Sequence, residues 1–262
     1  MTFHGLFLEG KHAIVTGGGR GIGAAIAAEL VAHGADVTLM GRDAQRLEST
    51  AAGLRGERGA TVAIQECDVA DHNAVRTAFA DAIATLGPAY ILVNNAGIAK
   101  AMKFPDVTRE IWNETIAVNL TGTFLCTAEV MPSMIQARSG RVVNIASTAA
   151  LKGYRTMTAY AASKHGVLGF TRSLALETAK FGVTVNAVCP AYTDTDMARG
   201  AIETISSKLG KTEEEALGML TGIIPRGTLI TPQEVAAAVL WLCSSDASGV
   251  TGVALPVAGG EV

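Results

Sequence analysis

The sequence predicts an α/β protein, with a doubly wound, seven-stranded parallel sheet and helices on both faces. Short β-branched runs alternate with longer helical stretches along all 262 residues. The predicted strands are apolar on both faces, as expected for a parallel sheet that is covered on each side. Aromatic residues make up only 5% of the chain, and a composition dominated by small aliphatic residues suits helices packed closely on such a sheet. Right-handed crossovers between the strands then produce the doubly wound topology.

The first half of the chain contains three strand–helix units and a fourth strand. A glycine-rich turn follows the first strand, and a helix over 21–33 comes next, with Gly34 as a left-handed residue at its end. Asp43 and Asp71 are placed to cap the helices after the second and third strands. The strands predicted in this half are 12–16, 37–40, 61–65 and 90–93.

Two long helical stretches, 108–137 and 157–181, dominate the second half, and a further helix occupies 232–244. The stretch 193–228 breaks this rhythm. It is rich in Thr, Ser, Glu and Lys, and it follows a strand end, where open α/β sheets bind ligands. We interpret it as a substrate lid on a single domain of residues 1–262, with a solvated helical hairpin as the alternative. The remaining strands are 141–146, 183–188 and 253–257.

Composition and charge exclude several classes of function. The formal net charge of -3 gives no electrostatic reason to expect nucleic acid or a membrane as a partner. No apolar run is long enough to span a bilayer. Residues 1–11 lack the basic and apolar regions of a secretory signal, so we expect a cytoplasmic protein. The histidines and cysteines show no metal-ligand spacing, so no metal is expected. We expect reduced, buried thiols at Cys67, Cys126, Cys189 and Cys243.

A phosphate-binding turn is predicted directly after the first strand. The chain reads Thr-Gly-Gly-Gly-Arg-Gly-Ile-Gly over 16–23, between that strand and an Ala-rich helix. Glycines let the backbone approach a pyrophosphate, and the helix N-terminus offers free N–H groups and a positive dipole end. This context indicates a Rossmann-like dinucleotide site. Its candidate residues are Gly17, Gly19, Arg20, Gly21, Ile22 and Gly23.

The end of the second strand favours NADP(H) over NAD(H). Enzymes that prefer NAD usually place Asp or Glu there to bind the adenosine ribose, whereas this strand ends in Gly41 and Arg42. The Arg42 guanidinium can hold a 2′-phosphate, and Arg20 is a second cation that could reach it. Asp43 keeps the NAD(H) alternative open, because a shift of one residue would bring its carboxylate to the ribose. We assign Asp43 to capping.

Tyr160 and Lys164 predict acid–base chemistry. They lie four residues apart in a helical segment, so their side chains share a face. A nearby ammonium favours the phenolate, which is expected to lower the pKa of Tyr160 towards the working range. Ser147 can donate a hydrogen bond to a substrate oxygen on which negative charge builds. The alternatives are that Tyr160 and Lys164 lie on an exposed helix face and that Ser147 belongs to a simple turn. Asn119 has apolar neighbours, which indicate burial, and a buried amide needs hydrogen-bond partners.

Together these motifs resemble the short-chain dehydrogenase/reductase family over essentially the whole chain. The resemblance implies an oxidoreductase that moves hydride between NADP(H) and a carbonyl or secondary alcohol, with Tyr160 as general acid and base. It implies that Lys164 also holds the nicotinamide ribose, that Asn119 positions a water in a proton relay, and that the protein is a homotetramer built through its two long helices. The implied cofactor contacts include Tyr160 and Lys164 and, elsewhere, Asp68 and Val69 for the adenine, Asn95, Ala96 and Gly97 after the fourth strand, and Pro190, Thr193 and Thr195 after the sixth.

Within this family the chain is similar to 3-oxoacyl thioester reductases and polyketide ketoreductases. Members that act on acyl carrier protein tend to present arginines on the two long helices, where this chain has Pro132 and Leu176. This favours a CoA thioester or a small or cyclic ketone, although Arg199, Lys208 and Lys211 in the lid could also steer an acidic partner. Two alternatives stay open: an NAD-dependent secondary alcohol dehydrogenase of the same fold, and a non-catalytic NADPH sensor.

Overall fold

The computed structural model describes residues 6–262, and a seven-stranded sheet forms its centre. Every neighbouring pair of strands is parallel, and the strands lie close to their predicted bounds, which confirms the predicted fold class. The strands are β1 (His12–Thr16), β2 (Asp36–Gly41), β3 (Val62–Glu66), β4 (Ala89–Asn94), β5 (Gly140–Ile145), β6 (Val183–Pro190) and β7 (Ala254–Val257). Their order in the sheet is β3-β2-β1-β4-β5-β6-β7.

The helices alternate with these strands, and the predicted caps are present. The Asp43 carboxylate accepts a hydrogen bond from the Arg46 backbone N–H at 3.0 Å. Asp71 caps the next helix in the same way, and Gly34 has a φ of 93°. The helices are α1 (Gly21–Ala32), α2 (Ala44–Leu54), α3 (His72–Leu86), α4 (Arg109–Ile116), α5 (Gly122–Ala137), α6 (Thr158–Thr178), α7 (Asp196–Leu209), α8 (Glu213–Thr221) and α9 (Pro232–Cys243).

The predicted helix over 108–137 is interrupted by a π turn. Residues Ala117–Thr121 form this turn between α4 and α5, and such one-residue expansions of a helix occur often at functional sites. The Thr123 hydroxyl donates to the Asn119 carbonyl at 2.9 Å, which satisfies a backbone acceptor at the irregularity. Periodicity alone did not indicate this break, because a π turn shifts the helical repeat by only one residue.

Apolar side chains cover both faces of the sheet. On one face, Ala13 and Val15 of β1 belong to a core with α1 and α9. On the other face, Ile14 packs in a core with α3 and α5. This alternation follows from the two-residue period of a strand. The four cysteines are buried and free, as predicted.

The sheet has one topological switch point, between β1 and β4, and its carboxyl edge there is where open α/β sheets place their ligands. Within residues 6–262, no helix is long and apolar enough to cross a membrane. The same residues contain no group of three or more His, Cys, Asp or Glu arranged to hold a metal ion. Part of the signal-peptide prediction, which concerned residues 1–11, falls outside the described residues.

Candidate active site

Hydrogen bonds tie together the two turns that follow β1 and β4. The Thr16 hydroxyl oxygen accepts from the backbone N–H groups of Asn95 and Ala96 at 3.0 and 3.1 Å. In return, the Asn95 amide donates to the carbonyls of Thr16 and Gly17 at 2.9 and 3.1 Å. The two turns at the switch point therefore form one unit. Sequence reasoning missed the role of Thr16, although a polar residue ending an apolar strand just before the glycines was an available signal.

Two glycines of the first turn are required by close packing. A Cβ on Gly23 would lie 2.2 Å from the Gly17 carbonyl oxygen and 2.5 Å from the Asn95 amide nitrogen. A Cβ on Gly17 would lie 2.8 Å from the same nitrogen, and Gly17 has a φ of 65°. The turn is thus a backbone cradle at the N-terminus of α1, which suits a pyrophosphate. Gly19 lies in the same turn, and Gly21 and Ile22 are the first residues of α1.

Replacing Gly23 with alanine is expected to destroy this cradle. The new methyl group meets backbone atoms, which cannot rotate aside, and overpacking of this kind costs about 1–3 kcal/mol. We expect a lower melting temperature and a loss of NADPH binding, measured by thermal unfolding and by fluorescence titration. Gly53→Ala on α2 is the matched control, because a Cβ there meets nothing within 4 Å and alanine favours a helix. Equal NADPH affinity in both variants would contradict the assignment.

The three charged residues considered for the adenosine end of the cofactor differ in their contacts. Arg20 pairs with Asp196 at the start of α7, with 3.0 Å between Nη1 and Oδ2. Asp43 caps α2 and pairs with the Arg46 guanidinium at 3.0 Å. Arg42 is exposed, and among residues 6–262 its side chain makes no hydrogen bond or ion pair. Arg42 is therefore free to bind a phosphate, whereas Asp43 is committed to capping.

The other predicted cofactor residues lie at or just beyond the ends of β3 and β6. The Asp68 carboxylate accepts from the Ala70 N–H at 3.0 Å, and Val69 is buried. Pro190 ends β6. Thr193 donates to the Ala191 carbonyl at 3.0 Å, and Thr195 donates to the Thr193 carbonyl at 3.2 Å. All of these residues share the carboxyl edge with the glycine turn.

The structure brings Tyr160, Lys164 and Ser147 close together. Tyr160 and Lys164 lie on α6, and the Lys164 Nζ is 5.7 Å from the centroid of the tyrosine ring. This buried ammonium donates to the Ile145 carbonyl at the end of β5, at 2.8 Å. The Ser147 oxygen accepts from the Ala149 N–H at 3.0 Å, and its side chain also hydrogen-bonds to Tyr160. The strand end and the helix face thus supply the hydroxyl, the phenol and the ammonium.

The predicted effect of Lys164 on Tyr160 is not found. Burial raises the pKa of Tyr160 and is the largest effect, while the hydrogen bond from Ser147 lowers it. Burial also lowers the pKa of Lys164 to about 8. Both shifts have the same physical cause, since a low-dielectric surrounding disfavours the charged form of either group. The phenol is therefore protonated, which is the form needed to donate a proton.

Asn119 lies in the π turn, and its buried amide is nearly saturated with hydrogen bonds. The amide oxygen accepts from the Ile98 N–H at 2.8 Å, and the amide nitrogen donates to the Ile98 carbonyl at 2.9 Å and to Ser163 at 3.0 Å. Ser163 in turn donates to the Tyr160 carbonyl at 2.7 Å. One acceptor position remains on the amide oxygen. Asn119 therefore connects the loop after β4 to the helix that carries Tyr160.

Gly97 lies close to the side chains of both Asn119 and Lys164. A Cβ on Gly97 would lie 3.2 Å from the Asn119 amide oxygen and 3.6 Å from the Lys164 Nζ. Two residues that the sequence analysis did not assign to the site lie near the Tyr160 phenol. Charge on Tyr192 or Cys189 would raise the pKa of Tyr160, so both side chains lie within electrostatic range of the phenol. Neither is part of a recognisable motif, and only the fold brings them there.

Lys164→Met is expected to stabilise the fold while removing its ammonium. The pKa of Lys164 is lowered to about 8, so below that pH the folded state carries a buried charge at a cost. The cost disappears as pH rises from about 8 towards the ordinary lysine value, where the neutral form dominates in both states. At pH 7 the variant should gain up to about 3 kcal/mol, as measured by denaturant unfolding. A gain that grows between pH 8 and 10 would contradict this sign.

Known proteins with similar sequences and folds cover nearly the whole chain. The family model for short chain dehydrogenase matches residues 11–206. A protein of Streptomyces violaceoruber assigned as ketoacyl reductase 1 of the granaticin polyketide synthase is 43% identical over 250 residues, 95% of this chain and 92% of that protein. The 3-oxoacyl-acyl-carrier-protein reductase of Aquifex aeolicus is 38% identical over 253 residues, with 97% and 98% covered.

A solved structure agrees closely with this fold. A Phe-to-Trp variant of the actinorhodin polyketide ketoreductase, crystallised with NADPH, superposes with a TM-score of 0.92 at 38% identity. The match covers 96% of this chain and 97% of that structure.

Proposed function

Since this chain belongs to the short-chain dehydrogenase/reductase family, we propose that it interconverts a ketone and a secondary alcohol with NADP(H) as cofactor. The observation that carries the proposal is the convergence of Ser147, Tyr160 and Lys164 at the carboxyl edge, beside a backbone cradle for a dinucleotide. A non-catalytic sensor would not need this group, and all of its members are present.

The residues at this edge fit NADP(H). The cradle at Gly17 and Gly23 would hold the pyrophosphate, and Arg42 would hold the 2′-phosphate. Asp68 and Val69 would contact the adenine, and Asn95 to Gly97 would line the middle of the cofactor. Lys164 would hold the nicotinamide ribose. When bound, the cofactor supplies or accepts a hydride. The finding that Asp43 is engaged in capping supports NADP(H) over NAD(H).

In the proposed reaction the phenol of Tyr160 donates a proton to the carbonyl oxygen of the ketone. Ser147 donates a hydrogen bond to the same oxygen while negative charge develops there, and such aligned donors stabilise a transition state in a dry site. Tyr160 is left as a phenolate once the proton has been transferred. In the direction of alcohol oxidation the same phenolate accepts the proton.

We propose a 3-oxoacyl thioester or a small or cyclic ketone as substrate. The similar proteins named as ketoacyl and 3-oxoacyl reductases support the class. The long helices offer no arginine at Pro132 or Leu176, and Leu176 is 85% exposed. Two basic residues of the lid are already paired with carboxylates of this chain: Arg199 with Asp194 and Asp196, and Lys211 with Glu215. A CoA thioester or free ketone is therefore favoured over a carrier-bound one.

We further propose that residues 193–228 act as a lid on one domain of residues 1–262. The Arg20–Asp196 ion pair joins α7 to the glycine turn, so the segment contacts the cofactor cradle directly. Its exposed apolar side chains include Met197, Leu209 and Leu217. A merely solvated hairpin would not need them.

Asp196→Asn is expected to tighten NADPH binding. The Asp196 carboxylate holds Arg20 and would repel a cofactor phosphate, so its removal frees a cation and removes a like charge. Because both side chains are exposed, the effect should be small, about two- to fivefold in Kd. Fluorescence titration with NADPH measures it, and Asp81→Asn on α3 is the control. Weaker NADPH binding in Asp196→Asn would contradict this role of Arg20.

We also propose assembly into a homotetramer through α5 and α6. Phe124 of α5 is half exposed and packs edge-on against Phe170 of α6 with 6.5 Å between the ring centroids. Such exposed apolar surface on two neighbouring helices is typical of an interface. Sedimentation equilibrium measures the mass directly, and a monomer would contradict the proposal.

A screen of 3-oxoacyl-CoA esters and cyclic ketones tests the proposed function. Oxidation of NADPH is followed at its absorbance band, and each substrate is repeated with NADH. We expect turnover with at least one class and a higher kcat/KM for NADPH. The Tyr160→Phe variant gives the background, and no substrate rising above that background would contradict the proposal.

A further inference from the structure

The carboxylate of Glu261, the second-last residue of the chain, is buried. Its side chain is only 1% exposed. One carboxylate oxygen accepts a hydrogen bond from the Tyr154 hydroxyl and pairs with the Lys152 Nζ at 3.0 Å. The other oxygen, Oε2, is buried and has no hydrogen-bond partner within the described residues. Acidic side chains are almost never fully buried without a specific reason.

A chain of hydrogen bonds leads from this carboxylate to Thr148, the residue after Ser147. A phenol has one hydrogen and a carboxylate only accepts, so Tyr154 donates to Glu261. The Thr148 hydroxyl must then donate to the Tyr154 oxygen, at a separation of 2.7 Å. Thr148 directly follows Ser147 and begins the short helical turn Thr148–Ala150. Glu261 thus holds, through Tyr154 and Thr148, the turn that follows Ser147.

The same segment is anchored on its other side. The Arg226 N–H donates to the Gly259 carbonyl at 3.0 Å, and the Lys152 Nζ also donates to the Glu261 carbonyl at 3.2 Å. Burial raises the pKa of Tyr154 and of Tyr192, and the Glu261 carboxylate raises both pKa values further. Tyr192 in turn lies within electrostatic range of Tyr160. Glu261 therefore lies beside Lys152 and Tyr154, next to the turn that follows Ser147.

We propose that Glu261 is a positioning residue of the active site, which holds the Ser147 turn in place through Tyr154 and Thr148. The inference rests on the proposed function, in which Ser147 donates to the substrate oxygen. It assigns a role to a residue that lies more than a hundred positions from the turn in sequence and acts only through Tyr154 and Thr148.

The test compares Glu261→Ala, Glu261→Gln, Tyr154→Phe and the double variant Glu261→Ala/Tyr154→Phe in the full-length enzyme. The readouts are kcat and KM for the best ketone of the screen and Kd for NADPH. Misplacing Ser147 acts mainly in the transition state, so we expect Glu261→Ala to lower kcat about 10- to 100-fold with little change in NADPH affinity. Glu261→Gln keeps an oxygen that accepts from Tyr154 and should stay within about threefold of wild type.

The double variant tests whether the two residues act as one unit. Residues in one hydrogen-bond network have non-additive effects, so the double variant should lose no more activity than the worse single variant. Glu48→Gln is the matched control, because Glu48 is an exposed partner of Arg55 on α2. If Glu261→Ala does not fold, Tyr154→Phe is tested in its place, because it removes only one hydroxyl. It should likewise lower kcat with little change in NADPH affinity.

The possible outcomes distinguish a failure of the positioning role from a failure of the proposed function. Wild-type turnover with unchanged kcat in both Glu261→Ala and Tyr154→Phe would overturn the positioning role alone. Additive losses, or a parallel loss of NADPH affinity, would also overturn it. A wild-type enzyme inactive on every ketone would overturn the proposed function and this inference together.

Discussion

Replacing Tyr160 with phenylalanine should reduce kcat by about 10²- to 10⁴-fold, the usual contribution of a positioned proton donor. The ring remains, so the packing against Lys164 is kept and only the hydroxyl is lost. NADPH affinity should change little, because the cradle and Arg42 lie on other elements. Stopped-flow reduction of a ketone measures the first quantity and fluorescence titration the second.

The raised pKa of Tyr160 also predicts how the rates of the two reaction directions change with pH. Burial raises the pKa of Tyr160, so the phenol stays protonated at neutral pH and ketone reduction should be insensitive to pH there. Alcohol oxidation needs the phenolate and should rise as pH increases towards that raised pKa. Tyr90→Phe, at the opposite edge of the sheet, is the control and should behave like wild type. Substantial activity in Tyr160→Phe would exclude the proton-donor role.

Replacing Arg42 with alanine should weaken NADPH binding about 10- to 100-fold and leave NADH binding nearly unchanged. The difference arises because only NADPH carries a 2′-phosphate, and a charge-assisted hydrogen bond to such a group contributes about 1.5–3 kcal/mol. The Arg42 side chain has no competing carboxylate within the described chain, since Asp43 is held by Arg46. Titration of both cofactors against the same variant measures the ratio.

The control for Arg42 is Arg76→Ala, which removes an exposed arginine from α3. It should leave both cofactor affinities unchanged. High salt should weaken NADPH binding to wild type more than to Arg42→Ala, since the screened interaction is already absent in the variant. Equal losses for NADPH and NADH would remove Arg42 from the phosphate site and would favour a role in the fold.

Most of the fold could be predicted from the sequence, because its signals are local. β-branched runs mark the strands, Asp43 and Asp71 mark helix starts, and the glycine turn marks the switch point. The π turn at Ala117–Thr121 was missed, since hydrophobic periodicity does not resolve one extra residue. The sequence did indicate one unusual feature at this place, a buried amide at Asn119.

The candidate site was predictable where one short segment carries it. Tyr160 and Lys164 share a helix face by spacing alone, and the glycine turn is contiguous. The raised pKa of Tyr160 could not be predicted from its spacing to Lys164, because burial is its largest cause and depends on the whole fold. Thr16 and Glu261 were missed for a related reason, since each acts through a partner distant in sequence.

The π turn between α4 and α5 lets these two consecutive helices pack on different partners, α4 on α6 and α5 on the sheet. An added residue rotates α5 by about 100° relative to its direction in an uninterrupted α-helix, so α4 can lean on α6 while α5 lies along the sheet. If the turn were one residue shorter, the apolar faces of α4 and α5 would point in the same direction. One of the two helices would then lose its packing partner and expose its apolar face to water. Insertions and deletions at 117–121 should therefore be selected against.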